Sequence, residues 1–375
     1  MFKQQVHNFV KNYPGFSTKR KLIVIESDDW GSIRIPSLDV LKELKARIPT
    51  NILDRYQEND TLADETDLTN LFEVLISIKD INGNAAKITP VAVVANPDYR
   101  KIKESGFSVY HYELFTDHLI KAGKRKVIDL WHEGISAGIF MPQYHGREHV
   151  NVTKWMKALQ QDQNETMEAF QLGMYGIVLP PNEDHYLTAY DYYKDDELNL
   201  LSEITIDGLN HFENIFGYRA TYFVPPNGAL SSKLNAILAK EGIKAIQTAR
   251  MIYKEPIGSD HVKKSIRYFG MKEKNGITYT LRNAFFEPSD KGKPDWVSAC
   301  MKNIEDAFKY GKPAVISSHR VNYMGTINTT NRDKSLLLLK KLLKDIQTRW
   351  PDIEFLTSAA LVDLIYHNSF KPVKG

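Results

Sequence analysis

The chain has 375 residues, 42% hydrophobic and 25% charged, which suits a soluble globular protein and excludes a disordered or fibrous one. Lys+Arg 49 against Asp+Glu 46 leaves a formal charge of +3, too weak a field to point to nucleic acid or anionic lipid. No apolar run is long enough to span a membrane, the opening Met1-Phe2-Lys3-Gln4-Gln5-Val6 lacks the apolar core of a secretion signal, and Cys300 stands alone, so the expectation is a cytoplasmic protein without disulfides or a cysteine-built metal site.

Short β-rich runs alternate with amphipathic stretches along the chain. Residues 21–25 are apolar and β-branched, as in a strand buried on both faces. Residues 88–94 read the same way and end at Asn96-Pro97. Further strands are expected at 136–141, 219–224, 243–248, 277–282, 313–318 and 353–357. Between them, residues 38–47, 68–79, 152–163, 195–216, 231–241, 295–310 and 335–350 repeat apolar residues at helical spacing. About seven or eight strand–helix units argue for a parallel sheet closed into a barrel. The expected organisation is an N-terminal extension over 1–20 and one barrel over 21–366, elaborated in its loops. Residues 48–67 are polar and irregular. Residues 174–197 set Tyr175, Tyr186, Tyr190, Tyr192 and Tyr193 among Glu183, Asp184, Asp191, Asp195 and Asp196, a composition that suits a sugar surface.

The polar residues at the strand ends carry the chemistry, because parallel barrels place their active sites at the carboxyl ends of the strands. The first strand runs into Glu26-Ser27-Asp28-Asp29-Trp30-Gly31. Adjacent carboxylates in a regular strand face opposite ways, but where Gly31 lets the chain turn both can approach one pocket, one binding a metal and one left as a base. An ordinary Asp-Asp turn or helix cap uses the same residue types. The third run ends in His145-Gly146-Arg147-Glu148-His149, two histidines at the spacing of one helical turn, which can share an ion or lie unrelated at the surface. Arg219 opens a run ending in Val224-Pro225-Pro226-Asn227-Gly228, able to hold a carboxylate and to expose backbone N–H groups, or simply to form a rigid turn. Finally, Ala314-Val315-Ile316-Ser317-Ser318 delivers His319 at its end.

In that order the motifs resemble those of the polysaccharide deacetylase (NodB-homology) superfamily, over residues 20 to 360. The matching segments are Asp28-Asp29-Trp30-Gly31, His145 to His149, Arg219 to Gly228, Asp295-Trp296, His319 and the closing 352–358. Against the family pattern, Trp30 is inserted before Gly31, Ser27 stands where an aromatic is usual, and the third motif is altered. The resemblance implies a distorted (β/α)7-type barrel of the glycoside hydrolase/deacetylase kind. It implies one divalent metal, Zn²⁺ first and Co²⁺, Mn²⁺, Ni²⁺ or Fe²⁺ as alternatives, held by Asp29, His145 and His149. Asp28 becomes the general base supported by Arg219, and His319 the general acid supported by Asp295. Trp30, Tyr222, Pro226, Asn227 and Trp296 become substrate contacts. The implied reaction is hydrolysis of an N-acetyl or O-acetyl group on a sugar or saccharide intermediate. Hydrolysis of a non-sugar amide, glycoside cleavage on the same barrel, and non-catalytic saccharide binding are the rival readings.

Overall fold

The computed structural model describes residues 15–47, 53–175, 186–192, 194, 196–254 and 263–368. β1 (Lys21–Trp30) organises it, with every residue after Lys21 buried. One edge pairs in parallel with β12 (Ala314–His319), from Ile23 opposite Ala314 to Asp28 opposite His319. The other edge is shared. Residues 21–24 pair with β13 (Ile353–Leu356), and residues 26–30 with β2 (Thr89–Val93).

From β2 the sheet continues in parallel through β5 (Gln143–Gly146), β6 (Tyr222–Phe223), β7 (Ala245–Gln247) and β10 (Thr278–Thr280). Only residues 281–283 separate β10 from β11 (Ala284–Phe285), which pairs with β12. Residues 278–285 therefore act as one stave whose first half bonds β7 and whose second half bonds β12. Asn283 closes the seam: its N–H donates to the Val315 carbonyl at 3.1 Å, its side-chain carbonyl accepts from the Val315 N–H at 2.9 Å, and its amide donates to the Pro313 carbonyl at 2.9 Å. The result is a closed (β/α)7-type barrel. Two antiparallel pairs decorate it, β3 (Ala95–Pro97) with β4 (Tyr112–Leu114) and β8 (Met251–Lys254) with β9 (Lys263–Ile266).

The helices bury their apolar stripes against the barrel. Glu65–Ile76 contributes Leu68, Leu71 and Leu75, Trp296–Lys309 contributes Val297, Cys300 and Ile304, and Thr329–Arg349 contributes Leu336, Leu339, Leu342, Leu343 and Ile346. Burial pushes the Cys300 thiol well up, so this cysteine serves packing. No helix among the described residues is long and apolar enough to cross a membrane.

Three local expectations need correction. The strand expected at 136–141 is instead the end of the helix Arg125–Ser136 and a turn through Gly138 (φ 66°), and the pairing strand is β5, two residues later. The end of the expected strand still joins the sheet edge: Phe140 forms a parallel bridge with Ile88, in the register that Val91 keeps with Gln143, and Ile139 and Phe140 are buried in the core. The irregular stretch 48–67 contains a short helix, Arg55–Asn59, set by a reciprocal cap between Asp54 and Gln57; residues 48–52 lie outside the described residues. In the tyrosine-rich loop, Tyr175, Tyr186 and Tyr190 are buried among core residues and so do not form a sugar-facing surface. Residues 176–185, Tyr193 and Asp195 lie outside the described residues, as do 1–14 of the expected extension.

Candidate metal centre

β1 reaches the carboxyl end of the barrel as Asp28-Asp29-Trp30-Gly31, and there its regularity breaks. The register with β2 shifts between Ser27 and Trp30, and Asp29 adopts φ 72°. That bulge defeats strict alternation, so both carboxylates line the same cavity. Aspartate tolerates the left-handed region better than most residues, at a cost of about 1–3 kcal/mol that the surrounding structure must hold in place. Gly31 follows at φ 83°, where an added Cβ would lie 2.2 Å from the Val93 carbonyl oxygen. Trp30 turns away into the core, edge-on to Trp131 and Phe140, its indole N–H donating to Ser27 Oγ at 2.9 Å.

Asp29, His145 and His149 are all buried, and one ligand atom from each falls within 4.8 Å of the others. Asp29 Oδ1 is 3.1 Å from His149 Nε2 and 3.4 Å from His145 Nε2. The histidines do not share a helix face as their spacing suggests. His145 is the penultimate residue of β5, Gly146 (φ 124°) ends the strand and turns the chain, and His149 returns from the following loop. His145 Nδ1–H donates to the Val224 carbonyl at 2.6 Å, which leaves Nε2 without a hydrogen bond and directed to Asp29. This is the outer-sphere contact that fixes a ligating imidazole. Burial and the neighbouring Arg34 push His149 down to about 4, so it is neutral and able to ligate at pH 7. Two imidazoles and a carboxylate, with His145 Nε2 and His149 Nδ1 both buried and unbonded, fit a divalent cation of the zinc type.

Asp28 stands beside this group. Burial alone would raise its carboxyl, but the Arg282 guanidinium, donating to both oxygens at 2.5 and 2.6 Å, outweighs burial and holds it below the usual range. Arg282 Nε also donates to Glu26 at 2.6 Å. Opposite, His319 Nε2 lies 3.8 Å from Asp28, while His319 Nδ1 bonds Glu287 at 2.6 Å. Burial would lower His319; the Glu287 carboxylate reverses this and lifts it to about 9. Glu287 is in turn held by Arg55 at 3.0 Å and by the Asn322 amide at 2.9 Å. Asn227, at φ 50°, lines the cavity with Val224, Pro225, Gly228 and Gln247. The cavity holds about 360 Å³ and meets a larger groove of about 850 Å³ at Asp54 and Tyr56.

Asp28, Asp29, His145, His149, Asn227 and His319 thus meet in one cavity, and six other expected residues do not. Arg219 precedes β6 and so sits at the opposite barrel end, bonded to Glu241, to Asn210 at 2.9 Å and to Glu213 at 3.1 Å. Asp295 is an exposed N-cap, accepting from the Ser298 N–H at 2.9 Å. Trp296 opens the same helix and donates to the Asp290 carbonyl at 2.8 Å. Tyr222 is core, its hydroxyl 2.7 Å from Thr280 Oγ1. Trp30 is core as described, and Pro226 is buried in the turn beside the cavity without lining it. Arg282 and Glu287 stand where Arg219 and Asp295 were expected. Arg219→Met and Asp295→Ala should therefore leave turnover unchanged, with only a small drop in Tm, whereas a large loss of kcat would restore them to the site.

A closed seven-stave parallel barrel with a buried Asp-His-His group at its carboxyl end defines the class. No protein-family model matches the chain, and no curated protein matches it. Among solved structures it is similar to a Mycobacterium smegmatis protein carrying a provisional polysaccharide deacetylase assignment, at 11% identity and TM-score 0.45 over 96% of this chain and 94% of that one. A Pseudomonas aeruginosa PAO1 protein with the same provisional assignment gives 11% identity and TM-score 0.46 over 96% and 97%. Puue allantoinase gives 10% identity and TM-score 0.47 over 96% of each chain. Likeness at that level leaves the activity to be argued from this chain's own residues.

Proposed function

We propose that the chain is a metal-dependent deacetylase that removes an N-acetyl, or less readily O-acetyl, group from a sugar or saccharide intermediate. One observation carries the reading: the buried, bond-free His145 Nε2 converges with His149 and Asp29 beside two proton carriers, Asp28 held by Arg282 and His319 held by Glu287. Asp29, His145 and His149 would hold one divalent cation, Zn²⁺ by preference. When bound, such an ion polarises an acyl oxygen and makes water nucleophilic near neutral pH.

The chain's own residues supply the rest. Asp28, kept ionised by Arg282, accepts the proton of the attacking water. His319, kept protonated by Glu287, donates to the nitrogen or oxygen that leaves as the acyl C–N or C–O bond breaks. Arg55 and Asn322 fix the Glu287 carboxylate so that it faces the imidazole. Asn227 and the Val224-Pro225 turn shape the wall against which the acyl group rests. The adjoining groove at Asp54 and Tyr56, lined by apolar side chains such as Leu41 and Ile327 among polar ones such as Asn59 and Asn328, is open enough for a saccharide. A cytoplasmic glycan precursor is the substrate class this reading favours, with no nucleic acid or membrane partner.

The proton inventory gives a pH prediction. His319 must be protonated to act, and its protonated fraction falls as pH rises past about 9. The profile of kcat/KM should therefore turn down above that pH, and His319→Gln should remove the limb along with most of the activity. The same raised value means that the stability supplied by the His319–Glu287 pair is complete below about pH 6.5 and is lost as pH climbs through about 9. Release of acetate from acetylated sugars, abolished by chelation and restored by Zn²⁺, tests the reading. Turnover that survives exhaustive chelation would instead favour carboxylate-only glycoside cleavage.

A further inference from the structure

Arg34 has no part in the chemistry above, yet it lines the same cavity. Its side chain is 8% exposed. A buried guanidinium carries five N–H donors and is ordinarily matched to a carboxylate. Elsewhere in the barrel mouth this holds: Arg282 grips Asp28 at 2.5 and 2.6 Å, and Arg320 holds Asp60 at 2.8 Å. Arg34 departs from it. Its nearest acceptors among the described residues are Asp29 Oδ2 and His149 Nε2, each 3.4 Å from Nη2, and its Nε is buried without a hydrogen bond. The Tyr56 ring, 5.5 Å from Cζ, faces the guanidinium without accepting a full hydrogen bond. Asp60, which could have neutralised it, is engaged by Arg320.

We propose that Arg34 is a catalytic residue that grips an anionic oxygen at this centre: the acyl oxygen as it gains negative charge, and afterwards the carboxylate of the released acid. The inference rests on Asp29, His145 and His149 holding a divalent cation. A fixed positive charge beside such an ion is a like-charge neighbour in a poorly solvated cavity, which is costly. An oxygen anion placed between the two relieves both by accepting from the guanidinium. Both partners of Arg34 are themselves ligand residues, so a bound ion would compete for His149 Nε2 and leave the guanidinium freer still.

The test is titration of the Zn²⁺-loaded protein with acetate, with neutral acetamide as the control probe, for wild type, Arg34→Gln and Arg34→Lys. Zn²⁺ affinity is measured in parallel. Acetate should bind the wild type, weaken by about tenfold or more in Arg34→Gln, and recover in part in Arg34→Lys. Acetamide should be indifferent to all three, and Zn²⁺ should bind Arg34→Gln at least as tightly, because a like charge has gone. Equal acetate affinity in wild type and Arg34→Gln overturns the proposal. So does weaker Zn²⁺ binding in Arg34→Gln, which would make Arg34 a support for Asp29. If Arg34→Gln fails to fold, acetate affinity in Arg34→Lys equal to wild type overturns it instead. Failure of the parent reading shows separately, as a wild type that binds no Zn²⁺. Acetate titration of the protein as purified then decides, since affinity that does not depend on Arg34 overturns the proposal on its own.

Discussion

Asp28→Asn lowers kcat for acetate release by about 10²- to 10⁴-fold while the protein stays folded and still takes up its cation. The expectation follows from separated duties. Asp29 faces the histidines, at 3.1 Å from His149, whereas both Asp28 oxygens face Arg282. An amide at position 28 keeps the shape and can still accept from Arg282, but it cannot take a proton from water. Cation content by elemental analysis and kcat by acetate assay, measured on one preparation, check both halves. Loss of the cation in Asp28→Asn would make Asp28 a ligand and overturn the assignment of the base. Undiminished kcat would remove it from the chemistry.

Arg282→Leu should be the most damaging change to stability, by about 3–5 kcal/mol. Arg282 bridges two carboxylates that are 9% and 1% exposed, Asp28 and Glu26, and it also donates to Ser317 Oγ at 3.2 Å. Without it, two buried acids of like charge face each other, and one of them must take up a proton. Sign follows directly: Asp28, held below the usual carboxylate range in the native protein, would rise above it, so the variant should lose less stability at acid pH than at neutral pH. Urea unfolding at two pH values measures this. Equal loss at both would mean that the deficit is lost packing and not stranded charge.

Much of this barrel can be read from the sequence because buried parallel strands leave continuous apolar runs. Residues 21–25 and 314–318 are the plainest, and they pair with each other. Asp28, Asp29, His145, His149, Asn227 and His319 were legible for the same reason, since each sits where such a run stops. Arg282 was within reach by that rule, closing the run 277–282, but the third motif drew attention to Arg219 instead. Glu287 left no signal: it lies in a loop, and only its 2.6 Å contact with His319 reveals it. Arg34 is equally silent in sequence, one cation in a turn, distinguished only by burial with long 3.4 Å contacts to Asp29 and His149 and an unbonded Nε. Helical spacing singled out two histidines that do converge, but the turn at Gly146 and not a helix brings them together. Asp295 shows the converse case, where a polar residue beside a tryptophan matched a motif and proved to be a helix cap.

The central claim is that Asp29, His145 and His149 bind one divalent cation, and elemental analysis of the purified protein beside a His145→Ala/His149→Ala variant tests it most directly. The account predicts about one tightly held ion per chain in the wild type and none in the variant, with the variant still folded. A wild type that holds no ion after reconstitution with Zn²⁺, Co²⁺, Mn²⁺, Ni²⁺ and Fe²⁺ would contradict it, as would a variant that holds as much as the wild type.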